Sequence, residues 1–221
     1  YFRLISDYSK AGNYQDGDGN TVRSSYTSET NSLLAGFKLT EHTWLEASYD
    51  QANEEDLLFA GAGMDSPYSD SDTWRLKLDH APQNSTFTRI QAEVYRSEIN
   101  HLMDNYSLRT PAMMRMKSFV FSDTKGGRLQ LDNQLGAHLV QWGADYQNNH
   151  RTRGEVSQTG LFAQTEHALN MTDNLSVGIR LDWVEAEATD STVPDANERN
   201  VSGFLNWNHI LSEHYAVDTT F

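Results

Sequence analysis

The 221-residue chain has no cysteine, which excludes disulfides and thiolate metal ligands without choosing a compartment. It also lacks any run of about 18 apolar residues, so no transmembrane helix is expected. Basic residues are scarce: 17 Lys and Arg stand against 31 Asp and Glu, for a formal charge of -14. No basic patch or stripe is visible, so nucleic acid is not an expected partner. An acidic balance attracts cations instead. With 38% hydrophobic residues and a mean hydropathy of -0.66, the composition is that of a soluble acidic protein. It is equally what a membrane β-barrel requires, because only every second residue of a spanning strand faces lipid. No segment combines helix caps with an apolar stripe of helical period.

What is present is alternation. Leu175, Val177, Ile179, Leu181 and Trp183 alternate with Ser176, Gly178, Arg180 and Asp182. This run is close to the roughly 9–11 residues that a tilted strand needs to cross a bilayer. Glu185 and Glu187 follow the tryptophan, as expected where an aromatic girdle meets water. Similar alternation covers Leu33–Leu39, Trp74–Asp79, Arg89–Tyr95, Val140–Tyr146 and Tyr215–Phe221; residues 1–12 and 156–169 follow it less cleanly. Short polar turns are expected near 40–43, 81–85, 132–136, 170–174 and 211–214. Longer polar stretches fall near 13–21, 53–70, 100–116, 150–155 and 188–197. Short and long connections in strict alternation suit a barrel with tight periplasmic turns and extracellular loops.

The expected fold is therefore all-β: an antiparallel transmembrane β-barrel wall of about eleven strands. That is about half of a large, plugged barrel of about 22 strands. The opening YFRLISDYSK is already strand-like and the closing HYAVDTTF stops in mid-pattern. An internal fragment is expected, with an export signal upstream. Gly126 and Gly127 are expected to mark a kink or bulge.

A family resemblance sharpens this reading. In TGLFAQTEHALNMTDNLSVGIRLDW, Phe162 and Gln164 precede a turn, and Gly178, Arg180 and Asp182 follow it. This arrangement resembles the barrel strands of TonB-dependent outer-membrane receptors. INHLMDNYSLRTPAMMRM, DTKGGRLQLD and WGADYQNNH resemble the copper-importing subgroup. The resemblance implies residues 1–221 as a partial barrel domain without its plug, in the bacterial outer membrane. It implies a monomer in the lipid bilayer, with the inner-membrane TonB machinery acting through the plug. The transported ligand would be copper. Such receptors pair a His-x-Met on the barrel with a Cys-x-x-x-Met on the plug. His101 and Met103 match the first; nothing here matches the second, so the isolated chain should bind copper poorly.

The residues support the same chemistry independently. Positions two apart on an extended strand point the same way. Counting from the polar set Arg89, Gln91, Glu93 and Tyr95, an unbulged strand carries His101 and Met103 onto the lumen face. An imidazole beside a thioether is a soft to borderline donor pair, and the sulfur favours Cu(I). Met113, Met114 and Met116 cluster in PAMMRM, in a chain with 6 methionines in all. They could form a path for copper, or pack the loop against a plug.

His42, His80, His167 and His214 are expected near solvated turns. His138, His150 and His209 are expected on or at the ends of strands without an adjacent soft ligand. The acidic stretch Asn53–Asp72 lacks EF-hand spacing and is expected to be a solvated loop. No nucleophile elbow or phosphate loop suggests an enzyme. The rival functions are import of an iron-siderophore or another ligand, a passive porin, or a soluble β-rich binding domain or enzyme. The loop pattern carries its own test. Protease added to intact cells expressing the full protein should cut near 53–70 or 188–197 and spare 81–85 and 170–174. The reverse pattern would invert the barrel.

Overall fold

The computed structural model describes all residues except 112, 137, 191, 214 and 221. Among the described residues there are only strands, turns and loops. The strands are β1 (Phe2–Ala11), β2 (Tyr14–Gln15), β3 (Thr21–Val22), β4 (Tyr26–Thr40), β5 (Thr43–Leu57), β6 (Asp65–His80) and β7 (Phe87–Asp104). They continue with β8 (Lys117–Leu135), β9 (His138–Arg151), β10 (Gly154–Ala168), β11 (Asp173–Ala188), β12 (Ala196–Ser212) and β13 (Tyr215–Thr220). Eleven form one antiparallel sheet in the order β1-β4-β5-β6-β7-β8-β9-β10-β11-β12-β13, and β2 and β3 form a separate hairpin. The sheet is a partial barrel wall that does not close: β1 and β13 stand at its two ends.

The register explains why these sequences share one sheet. Phe37 lies opposite Leu45, and the row continues through Leu78, Ala92, Leu129, Ala144, Leu161 and Leu181 to Val201. Every residue in it is apolar, and Leu129, Leu161 and Val201 are exposed. Among the described residues no hydrophobic side chain is buried. A water-soluble domain of this size would bury such residues in a core. Here they face outward, as a lipid-facing surface does.

The neighbouring row faces the other way. Glu46, Lys77, Glu93, Arg128 and Asp145 lie opposite one another in turn, with alternating charge on adjacent strands. Opposite charges facing across strands stabilise their pairing by roughly 0.2–1 kcal/mol each. Gly160 continues the row opposite Asp145, and Asp182 lies opposite Gly160. A Cβ at Gly160 would collide with the Arg180 guanidinium. The glycine thus leaves room for Arg180 to reach Asp145 through two bonds of 2.7 Å, while also binding Asp182. Arg128 sits 4.3 Å from the centre of the Phe162 ring.

Several boundaries differ from the sequence reading. Residues 53–57 and 65–70 are paired strand, so the expected loop at 53–70 shrinks to 58–64. Most of the acidic Asn53–Asp72 stretch is therefore cross-strand paired, because the strands run on beyond the apolar band. The stretch at 150–155 is a tight turn at 152–153 that joins β9 directly to β10. Leu135 is still strand, so the turn expected at 132–136 falls later. Gly126 and Gly127 are not a bulge: the β7–β8 register runs through them unbroken. Gly126 instead lies under the Tyr95 ring, which occupies the space a side chain would need.

The two faces predict different tolerance. In the complete barrel, Ile179→Arg should destabilise by about 2–4 kcal/mol, the cost of a cation in the lipid band. Ser176→Arg, on the polar face of the same strand and opposite Glu166, should cost far less. Urea unfolding in lipid vesicles would measure both; equal costs would contradict the assignment of faces.

Candidate functional site

The candidate site lies where β6, β7 and β8 run past the aromatic edge of the lipid band. Tyr49 and Trp74 mark that edge on the outward face, with ring centres 4.1 Å apart. Beyond it β7 continues in unbroken register with β8 from Arg89 to Asp104. Tyr95 lies opposite Gly126, His101 opposite Val120 and Met103 opposite Ser118. His101 and Met103 therefore share the inner face with Glu93 and Tyr95, and both are half-buried. They lie on the strand itself, and the loop begins after Asp104.

The methionine loop springs from the end of that strand. Asn105 folds it back on itself: its Nδ2 donates to the Met114 carbonyl at 2.9 Å, and its Oδ1 accepts from the Met116 amide at 2.8 Å. The Asn105 amide also donates to the Met116 carbonyl at 3.2 Å. Asp104 accepts from the Tyr106 and Ser107 amides at 3.0 and 2.7 Å, and from the Ser107 hydroxyl. This is the turn-forming chemistry for which Asp and Asn are favoured at loop starts. The backbone at Met114 and Met116 is thus held at the neck of the loop. The side chains of Met113 and Met114 stand in solvent, at 108% and 74% exposure, and Met116 is also exposed. The structure brings together His101 and Met103 on one strand face. Met114 and Met116 are tethered by Asn105 at the end of that strand, and the side chains of all three loop methionines are exposed.

A second element, not read from the sequence, organises the same end. Asp65 is completely buried. Its carboxylate accepts from Arg109 Nε at 2.7 Å, from a second Arg109 nitrogen, from Arg23, and from the Phe59 amide at 3.0 Å. Arg109 also donates to the Ala62 carbonyl and Arg23 to the Leu108 carbonyl. One carboxylate therefore ties three loops together: 12–25, 58–64 and 105–116. Burial works against its charge, but the hydrogen bonds from Arg109, Phe59 and Arg23 outweigh that and hold the carboxyl below its ordinary range. The two arginines lie more than forty positions from Asp65 in sequence, so no local signal could have revealed them. Asp104 and Asn105 were more accessible to sequence reasoning, as an Asp-Asn pair opening a loop.

Among the described residues no three His, Asp or Glu side chains converge as a metal site. On the wall, the imidazole of His101 and the thioether of Met103 share one strand face two residues apart.

Comparison with known proteins follows the fold. A model described as TonB dependent receptor-like, beta-barrel, matches residues 4–217. The copper transporter OprC superimposes with a TM-score of 0.87 at 23% identity, over 96% of this chain and 38% of its own. The FrpB iron transporter from Neisseria meningitidis (F5-1 variant, apoprotein form) gives 0.79 at 13% identity, over 99% of this chain and 40% of its own. The Serratia marcescens hemophore receptor HasR, in complex with its hemophore HasA and heme, gives 0.75 at 14% identity, over 99% and 40% respectively. The chain spans less than half the length of each of these structures. No curated protein matches it.

The Asp65 clasp has a pH signature. A carboxyl whose folded-state pKa is depressed contributes stability that is present above its unfolded value, about 3.9, and lost as pH falls through the lower folded value. Protection against hydrogen exchange at 58–64 and 105–116, measured relative to the intrinsic rate at each pH, should therefore fall only as pH drops below about 3.9. Asp65→Asn should produce the same loosening at neutral pH, costing about 1–3 kcal/mol locally. Unchanged exchange in that variant would show that the loops are held by other contacts.

Proposed function

This chain belongs to the TonB-dependent receptor β-barrel family, and from that membership we propose that the complete receptor imports copper across the bacterial outer membrane. The observation that carries the reading is the unbroken inner-face register that ends in His101 and Met103, directly below a loop bearing Met113, Met114 and Met116. An imidazole and a thioether on one strand face suit a soft cation, Cu(I) above others. A hard cation would call for oxygen donors. Two donors leave a soft ion under-coordinated, so the remaining ligands belong to a plug lodged against this wall. The exposed methionines are weak, exchangeable donors suited to passing copper toward that site. Release would follow when the inner-membrane TonB machinery pulls on the plug, with the receptor acting as a monomer in the bilayer. The likeness to the copper transporter OprC supports this choice of cargo.

A second reading has its own support. The FrpB iron transporter and the HasR hemophore receptor share the fold. At the loop neck Arg115 stacks over Tyr106 at 5.4 Å, the kind of cationic and aromatic surface that an iron-siderophore receptor would present.

Copper content separates the two. In the purified, folded receptor, His101→Ala and Met103→Ala should each lower copper occupancy, and the double variant should lower it further. Met114→Ala should mainly slow uptake. Elemental analysis beside the wild type is the measurement; full occupancy in the double variant would remove both residues from the site and favour the second reading.

A further inference from the structure

At the opposite end of the wall, on the opposite face, the fold brings together two histidines that the sequence keeps apart. His138 opens β9 and His167 lies near the end of β10, and the ladder sets them directly across from each other. They follow Val140 and Thr165 in the outward-facing set, so they sit where the lipid band gives way to the turns. Their rings stack with centres 4.3 Å apart and planes 21° from parallel. His167 Nδ1 is shut off from water and has no hydrogen-bond partner among the described residues. A buried ring nitrogen left without a partner loses the hydrogen bond it made to water, which calls for an explanation.

We propose that His138 and His167 form a two-imidazole clamp for a divalent transition cation such as Zn(II). Histidine is the commonest metal ligand, and the neutral ring offers one lone pair in its plane. Side chains directly opposite on antiparallel strands start with Cβ atoms about 4.5–5.5 Å apart. That spacing lets two imidazoles converge on one ion while the ladder fixes both backbones. Stacked rings do not themselves chelate, because the lone pairs lie in the ring planes. A rotation of each ring about its own side-chain bond turns the nitrogens toward a common point and gives His167 Nδ1 the ion as its partner. The next histidine along the rim is already engaged: His209 Nδ1 is 2.6 Å from Asp173, which also accepts from the Trp207 indole at 3.0 Å. Water would complete the coordination. Two borderline nitrogens without sulfur favour Zn(II), Ni(II) or Cu(II) over Cu(I), so this clamp differs in chemistry as well as position from His101 and Met103.

The test uses the complete receptor in detergent micelles, with His101→Ala and Met103→Ala in place to weaken the other end, and reads the zinc lost when both clamp histidines are changed in that background. Equilibrium dialysis against Zn(II), read by elemental analysis, should find one bound equivalent that the His138→Gln/His167→Gln double variant lacks. His138→Gln and His167→Gln should each weaken it on the order of tenfold or more, because each leaves a single donor. Cu(II) bound to the same background should show electron paramagnetic couplings to two nitrogens. Undiminished zinc affinity in the His138→Gln/His167→Gln double variant would overturn the clamp. So would coupling to fewer than two nitrogens, a readout that needs no change at either histidine and decides the matter even if the glutamine variants fail to fold.

Discussion

A strand that crosses a bilayer must give every backbone N–H and C=O a partner on a neighbouring strand, because hydrocarbon supplies none. The rest of this structure depends on that requirement. It commits the chain to long antiparallel ladders. Once the ladders are in register, the period-two geometry sorts side chains without further instruction. The apolar row from Phe37 to Val201 and the charged row from Glu46 to Asp145 are consequences of one register read on its two faces. A slip of one residue in a strand would turn its polar inner-face residues toward lipid, such as Lys77 on β6 or Asp145 on β9, so both rows enforce the pairing that creates them.

The inner face uses the same register for recognition between strands. Phe162 lies opposite Arg180, Gln164 opposite Gly178 and Gly160 opposite Asp182. Residues that read along the sequence as two separate motifs are cross-strand partners in the sheet. Arg180 then reaches past Gly160 to Asp145 on β9, so one guanidinium links β9 to β11 across the intervening strand. With no hydrophobic side chain buried among the described residues, such side-chain ladders and the backbone bonds supply the cohesion of the wall.

Beyond the lipid band the physics changes. Water can satisfy backbone groups there, so loops need not pair, and their order must come from side chains. Asp65 supplies that order for three loops, and Asn105 does so for the methionine loop. Removing a carboxylate from water is favourable only because Arg109, Arg23 and the Phe59 amide together satisfy its oxygens. The strand carrying His101 and Met103 therefore ends in a fixed surround, and both side chains have a defined position relative to the loop above them.

The sequence by itself determined the strand class, the sheet of eleven, the identity of the two faces and the inward parity of His101 and Met103. All of these follow from a period of two residues, which is a property of neighbours along the chain. It did not reveal that 53–57 and 65–70 are paired, since acidic residues in a strand beyond the membrane look the same as residues in a loop. It misjudged 150–155 and Gly126–Gly127 because polarity marks solvent access and glycine marks small volume, and neither one specifies a break in pairing. Only the tertiary structure decided which loops Asp65 binds and that His138 faces His167. Those contacts join residues on different strands or loops, and their meeting is set by register, which no window of sequence contains.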